Sequence, residues 1–244
     1  MPSPRGHPRT SPRTSPAKAP LSRDAIVAAA LALVDELGCD AVSMRRVSQA
    51  LDTGPASLYV YVHDRRQLMA LAHDLAVAGV ELPTEADGDW RARLELLVNR
   101  AVAGLAAHDD IGSVGLTEVP TGPHFLRLTE ELLRLLRAGG IGDAACALAA
   151  DLLGQYIASS ALEEAARTRA QRELQRSAGP EQTTAAALSE AASAHLDAVY
   201  RSLPAERYPT ISALAPLLTG EPGGSRAEWK LRVIIDGVLA QAPA

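Results

Sequence analysis

Pro55, Ala56, Ser57, Tyr59 and Tyr61 fall on one face of a short helix, small at its leading end and hydroxylated beyond. Such a face fits closely into a DNA major groove, with a methyl or hydroxyl near base edges and tyrosines near phosphates. An ordinary helical hairpin carries the same pattern, so both readings stand on these residues alone. A second group, His108-Asp109-Asp110, sets three titratable side chains in a row, as general acid–base chemistry requires. Neighbouring side chains at a helix end diverge, however, and no nucleophile or metal-ligand spacing accompanies them. A helical enzyme is therefore the remote alternative, and no catalytic residue, metal or other cofactor is expected. Arg5, Arg9 and Arg13 form a third group, recurring every four residues in a leader without acids. They could follow a minor groove as a basic arm, or simply add electrostatic attraction.

The elements that must position these residues can be read from caps and periodicity. Residues 1–20, with six prolines and a repeated Arg-Thr-Ser-Pro, have almost nothing apolar to bury and read as a disordered basic arm. Ser22 caps a first helix with Asp24 in its first turn, Ile26, Ala29/Ala30, Leu33/Val34 and Leu37 repeat at helical spacing, and Gly38 stops it. The run Ala25–Val34 imitates a secretory leader, but Arg23 and Asp24 before it and Asp35 and Glu36 after it favour a soluble amphipathic helix. Ser43 caps a second helix, Met44 to Leu51, with Val47, Ala50 and Leu51 inward. Asp52-Thr53-Gly54 is a three-residue turn in which Gly54 is free to take positive φ. Pro55 fits the first turn of a third helix running to about Val62, with Leu58 and Val62 buried. Two short helices and such a turn make a helix-turn-helix, about residues 43–62.

Composition supports an all-α fold. Of 244 residues 47% are hydrophobic but only 3% aromatic, so the core is Ala/Leu/Val, which suits close-packed helices. Further helices are expected near 65–80, 89–107, 122–138, 141–173, 183–202 and 225–240, broken at Pro83–Gly88 and Gly220–Ser225. The longest stretch without a charge, Tyr208 to Gly220, holds two prolines, so no membrane span is expected. Cys39 and Cys146 stand apart without a CxxC pair, which excludes disulfide and zinc frameworks and fits the reducing cytoplasm. The net charge of −5 hides an asymmetry: residues 1–66 carry +3 and the remainder −8, the layout of a nucleic-acid reader joined to a separate acidic domain.

Residues 22–80 resemble the N-terminal domain of the tetracycline-repressor (TetR) family of transcriptional regulators. The resemblance runs through Ile26, Leu33 and Gly38, then Val42 to Val47 and Leu51, and on through the block Ser57 to Leu68. Asp89-Trp90-Arg91, His108, Pro120, Gly122-Pro123 and Ala138-Gly139-Gly140 resemble the family's regulatory domain. The implied organisation is a disordered arm (1–20), a three-helix helix-turn-helix DNA-binding domain (21–80) and a helical ligand-binding and dimerisation domain (81–244). By resemblance, Arg45 contacts a base or phosphate, Pro55, Ala56 and Ser57 start the base-reading helix, and Tyr59 and Tyr61 touch the DNA backbone. Ser43, at the second helix's cap, joins the DNA-facing set. Arg65 takes the place of a phosphate-clamping lysine. Asp52 replaces a usual glycine, and Tyr61 a commoner histidine or phenylalanine.

The implied function is a repressor that binds a near-palindromic DNA operator as a homodimer and is released by a small-molecule effector. The long helix at 141–173, with Ala145, Leu148, Ala149, Leu152 and Leu153, and the last helix, with Leu231, Ile234, Ile235, Val238 and Leu239, are the expected dimer faces. The effector pocket is expected between helices 89–107, 122–138 and 141–173, with Asn99, His108, Phe125, Leu128, Gln155, Tyr156, Ser159 and Glu163 as candidates and Trp90 and His124 nearby. Glu163 matches a glutamate that holds a metal through water in tetracycline repressors, but the family's magnesium-binding histidine falls at about Gly115. The expected ligand is therefore a largely apolar molecule other than tetracycline. A constitutive DNA-binding dimer without an effector is the alternative.

Overall fold

A computed structural model describes residues 20–178, 185–220 and 226–241, and every regular element among them is helical. The arm residues Arg5, Arg9 and Arg13 lie outside the described residues, as do 183–184 and most of the expected break at 220–225. Helix α1 (Arg23–Leu37) starts where the Ser22 hydroxyl accepts from the Ala25 N–H at 3.1 Å, and ends at Gly38, whose φ is 79°. A 3₁₀ turn (Cys39–Ala41) leads to α2 (Met44–Ala50), capped by Ser43, which accepts from the Arg46 N–H at 3.2 Å. Then come α3 (Pro55–Leu58) and α4 (Arg65–Ala76), whose N–H of Gln67 donates to the capping carboxylate of Asp64 at 2.7 Å. Ile26, Ala30, Val34, Val47, Leu58, Val62, Leu68 and Ala72 close the core of this bundle.

The local pattern is corrected in four places. Leu37 is exposed at the end of α1. Of the residues expected inward on α2, Val47 is buried and Leu51, already the C-cap, packs half-buried on the core, but Ala50 is exposed, and Met44 and Ser48 complete the buried face. The left-handed residue of the following turn is Asp52, with φ of 48°, whereas Gly54 is extended at φ −80° and ψ 146°. Pro55 causes this: its ring forces the preceding residue out of helical conformations, so the reversal moves upstream to an aspartate, which tolerates it. Finally, α3 ends at Leu58, and Tyr59 to Tyr61 continue as turns that still deliver Val62 to the core.

The remaining helices are α5 (Trp90–Ala106), α6 (Gly112–Thr117), α7 (Pro123–Ala138), α8 (Asp143–Ala178), α9 (Ala185–Arg201), α10 (Pro209–Thr219) and α11 (Arg226–Gln241). Helices α6 and α10 were not expected: the first contains Gly112 and Gly115, the second carries Pro216 internally, and both compositions argue locally against helix. Helix α8 is the spine, packed by α5, α6, α7 and α11. Contrary to the sequence expectation, its segment Asp143–Glu173 is long and apolar enough to cross a bilayer. Here Cys146, Ala149, Leu153, Ile157, Ala161 and Ala165 are buried in the core, and Asp151, Glu163, Glu164 and Arg167 stand on its exposed side.

Helix α4 belongs to both halves. It packs on α1 through one face and on α5, α6 and α7 through another. The buried Asp74 carboxylate accepts from the Phe125 N–H at 2.8 Å and the His124 N–H at 3.4 Å, satisfying the first turn of α7. Gly122 is required there, since a Cβ would lie 2.1 Å from the Asp74 carboxyl carbon. Arg66 of α4 pairs with Glu118 just beyond α6. The turn between α5 and α6 holds three more ties: His108 to Asp35 at 3.0 Å, Asp110 accepting from the Cys39 N–H at 2.7 Å, and Asp109 with Arg169.

Gly122→Ala should displace the Asp74 carboxylate and cost on the order of 2 kcal/mol in urea unfolding. A change within a few tenths of a kcal/mol would mean that the cap is dispensable.

Candidate nucleic-acid interface and effector hollow

The helix-turn-helix presents a continuous outward row. Pro55 and Ala56 are exposed at the start of α3 and Ser57 is half-buried. Tyr59 is 53% and Val60 79% exposed just beyond it, and Arg45 is exposed on α2. Val60 is the residue that sequence reading missed. The pattern could have found it, because burying Leu58 and Val62 turns the residue midway between them outward. An exposed branched apolar side chain beside a tyrosine suits contact with a thymine methyl group or a sugar.

Three residues of the expected DNA-facing set are engaged within the protein. Ser43 caps α2. The Tyr61 hydroxyl donates to the Leu21 carbonyl at 2.8 Å, tying the start of α1 to the recognition segment. Arg65 donates from Nε to the Val42 carbonyl at 2.7 Å and from Nη2 to the Cys39 carbonyl at 2.6 Å. Its planar fork thereby pins the first turn of α4 to the chain linking α1 and α2. Arg46 does similar work through Nη1 to the Ala41 carbonyl, also at 2.7 Å.

The expected effector residues are not brought together. Asn99 is exposed on α5. Gln155 and Ser159 lie on the exposed side of α8, where Gln155 donates to Asp151 at 3.1 Å and Ser159 to the Tyr156 carbonyl at 3.1 Å. Glu163 pairs with Arg167 and with Lys230 of α11 at 3.1 Å. These partners hold its carboxyl below the usual range although burial alone would raise it. Tyr156 is buried and donates to the Ala227 carbonyl at 2.9 Å, which fixes α11 on α8. Leu128 lies in the core, Trp90 packs against Gly139, and His108 faces Asp35. Phe125 alone of these approaches a hollow that opens on the surface beside α4, through His73, with ring centroids 5.7 Å apart.

That hollow, about 280 Å³, lies between α4, α6 and the segment 118–121, with Ala70, His73, Val114, Glu118 and Pro120 in its wall. His73 is 1% exposed and its Nε2 has no hydrogen-bond partner. Burial pushes its pKa down to about 4 against the opposing influence of Asp74, so the imidazole is neutral at pH 7. A Cβ at Gly115 would lie 3.0 Å from this Nε2. An imidazole from α4 thus abuts the very position where the family resemblance places a histidine and this chain has glycine. Sequence reading passed over His73, although a polar His-Asp pair inside the apolar stripe of Leu68, Met69, Ala72 and Ala76 was a signal.

A second groove, about 320 Å³, runs along α8 and α11, lined by residues including Ala145, Leu148, Leu152, Val233, Ile234 and Val238. Leu148 is 75% exposed, and Leu152 and Val233 more than two-fifths. A row of large apolar groups in water is the mark of a surface that another surface covers.

Residues 82–242 match the family model described as tetracyclin repressor-like, C-terminal domain. The transcriptional repressor DrrR1 of Streptomyces coeruleorubidus is 28% identical over 219 residues, 89% of this chain and 77% of that protein. The class C tetracycline repressor of Escherichia coli is 28% identical over 149 residues, 60% of this chain and 67% of that protein. Among solved structures, the TetR family protein ActR of Streptomyces coelicolor in complex with actinorhodin superposes with a TM-score of 0.74 at 34% identity, covering 92% of this chain and 98% of that one.

Two outcomes follow from this geometry. Arg65→Lys keeps the charge but loses the fork, and should cost about 1–2 kcal/mol in urea unfolding; a purely phosphate-clamping arginine would leave unfolding unchanged. For His73, the unfolded chain binds its proton near pH 6.5 and the folded chain only near pH 4, so stability falls as pH drops through that window. The loss attributable to this group is about 3 kcal/mol, and His73→Leu should remove it from the pH profile of unfolding. Parallel profiles for the two proteins would contradict the buried neutral imidazole.

Proposed function

The chain belongs to the tetracycline-repressor family of transcriptional regulators, and on that footing we propose that it acts in the cytoplasm as a homodimeric repressor, leaving its operator when a small organic effector binds. The observation that carries this reading is the outward row Pro55, Ala56, Tyr59 and Val60, held on a rigid helix-turn-helix with nothing of the described chain covering it. Residues 21–80 read the DNA and residues 81–244 carry the effector site and the dimer face. Arg45 and Tyr59 approach phosphates, the start of α3 and Val60 approach base edges, and the arginines of the leader add salt-dependent attraction.

The apolar groove of α8 and α11 supports the dimer. Two copies joined there by a two-fold axis turn their recognition segments toward successive major grooves, so the operator is near-palindromic. ActR, solved with actinorhodin, supports an organic effector for this chain also. Tetracycline held through magnesium is disfavoured, because glycine stands at the metal-binding position and Glu163 is already paired on the surface. Coupling runs through α4, which carries Arg66 toward Glu118 and shares Asp74 with α7. A typical coupling of about 1–3 kcal/mol changes operator affinity roughly 5–150-fold, and DNA weakens the effector by the same factor.

Selection of bound duplexes from a random library tests the reading. The wild type should enrich a near-palindrome, and Tyr59→Ala should bind it about tenfold more weakly. Leu148→Glu should sediment as a monomer and fail to enrich paired half-sites. No enriched sequence at low salt would overturn DNA reading, and a dimeric Leu148→Glu would overturn the proposed interface.

A further inference from the structure

We propose that the hollow beside His73 receives the hydroxyl or carbonyl edge of an uncharged, planar, largely apolar molecule, which hydrogen-bonds to Nε2 of His73. This rests on the reading that the chain responds to an effector, and it specifies the chemistry of that effector. It departs from that reading in one respect: the polar contact comes from α4, within residues 21–80, where it meets α6 and residues 118–121. The first support is the orphaned nitrogen. Protein interiors pair almost all of their buried polar atoms, and one left without a partner marks a place where something else supplies it. The second is the cavity against which that ring lies. At about 280 Å³ it is large enough for a fused bicyclic ring; it opens to solvent past His63, Asp64, Arg66 and Thr121, and Ala70, Val114, Val119 and Pro120 supply its apolar side.

Charge decides the ligand class. The charged side chains at the rim are already matched: Arg66 pairs with Glu118, and Asp64 caps α4. Asp74, next to His73 in the chain, is occupied by the N–H groups of α7. A carboxylate or ammonium entering the hollow would lose its hydration without gaining a counter-charge. An uncharged hydroxyl or carbonyl loses little and gains a hydrogen bond from a neutral imidazole, which donates or accepts according to its tautomer.

Gly115 leaves the way to Nε2 open. A Cβ there would stand 3.0 Å from the nitrogen, inside the distance at which a hydrogen-bonding partner sits. Gly112 lets the same short helix lie against the Ala158 carbonyl, where a Cβ would also come within 3.0 Å. A molecule that reaches Nε2 therefore inserts between α4 and α6, next to the Arg66–Glu118 pair that joins them.

Calorimetric titration of the full-length protein with β-naphthol, naphthalene and β-naphthoate, run beside release of the selected operator duplex, tests the proposal. β-Naphthol should bind at least about tenfold more tightly than either analogue. His73→Leu should reduce it to the level of naphthalene, His73→Gln should restore part of the preference, and Gly115→Ala should remove it with His73 still in place. In ¹⁵N spectra the Nε2 resonance that is absent from His73→Leu should shift on addition of β-naphthol. Equal binding of naphthol and naphthalene, tightest binding of naphthoate, a preference that survives His73→Leu, or no binding of naphthol up to its solubility limit would each overturn it. Operator release by the probes regardless of His73 would sink this site but keep the effector reading. His73-dependent binding without release of DNA would do the reverse.

Discussion

A buried carboxylate has to be satisfied, and the way Asp74 is satisfied decides how the two halves of the molecule meet. The carboxylate leaves α4 sideways and accepts the N–H groups that open α7, where the helix dipole also favours negative charge. For this the chain before α7 must approach within van der Waals distance, which a glycine at 122 permits and any side chain would block. With α7 fixed on α4, Leu94 and Leu97 of α5, Leu135 of α7 and Leu153 of α8 are buried together in one core. The hollow beside His73 is what remains between α4 and α6 after these contacts are made.

The same economy of side-chain size runs through the fold. With so few aromatic residues, helices come close by using alanine and glycine at their crossings: Gly139 under Trp90, Gly104 beside Val80, Gly112 on Ala158. Close crossings bring backbone and charged groups within reach of each other, and arginine exploits this. Arg65, Arg46 and Arg127 each reach a main-chain carbonyl on another segment, so guanidinium groups act here as struts as well as charges.

What the sequence disclosed was what is decided locally. Ser22, Ser43 and Gly38 cap the helices they were expected to cap, because a cap depends on three or four neighbouring residues. The helix-turn-helix was legible for that reason, and even its corrected turn obeys a local rule once Pro55 is given its due. The face of α8 was not legible. A helix surrounded by α5, α6, α7 and α11 is apolar over much of its circumference, and periodicity alone could not tell that Gln155, Ser159 and Glu163 face outward. Arg65 shows a related limit: its charge could be matched to a phosphate clamp, but its two carbonyl partners come from residues more than twenty positions earlier.

The turn His108-Asp109-Asp110 gives each of its side chains to a different structural unit: α1, α8 and the 3₁₀ turn after α1. The reader and the regulatory half are consequently not interchangeable modules that happen to share a linker. A chimera spliced in the exposed stretch after α4 would keep every helix intact and still set a foreign turn against Asp35 and Cys39. Grafting this reader onto another regulatory half requires carrying residues 108–110 with it, so the functional seam of the molecule lies thirty residues beyond its topological one.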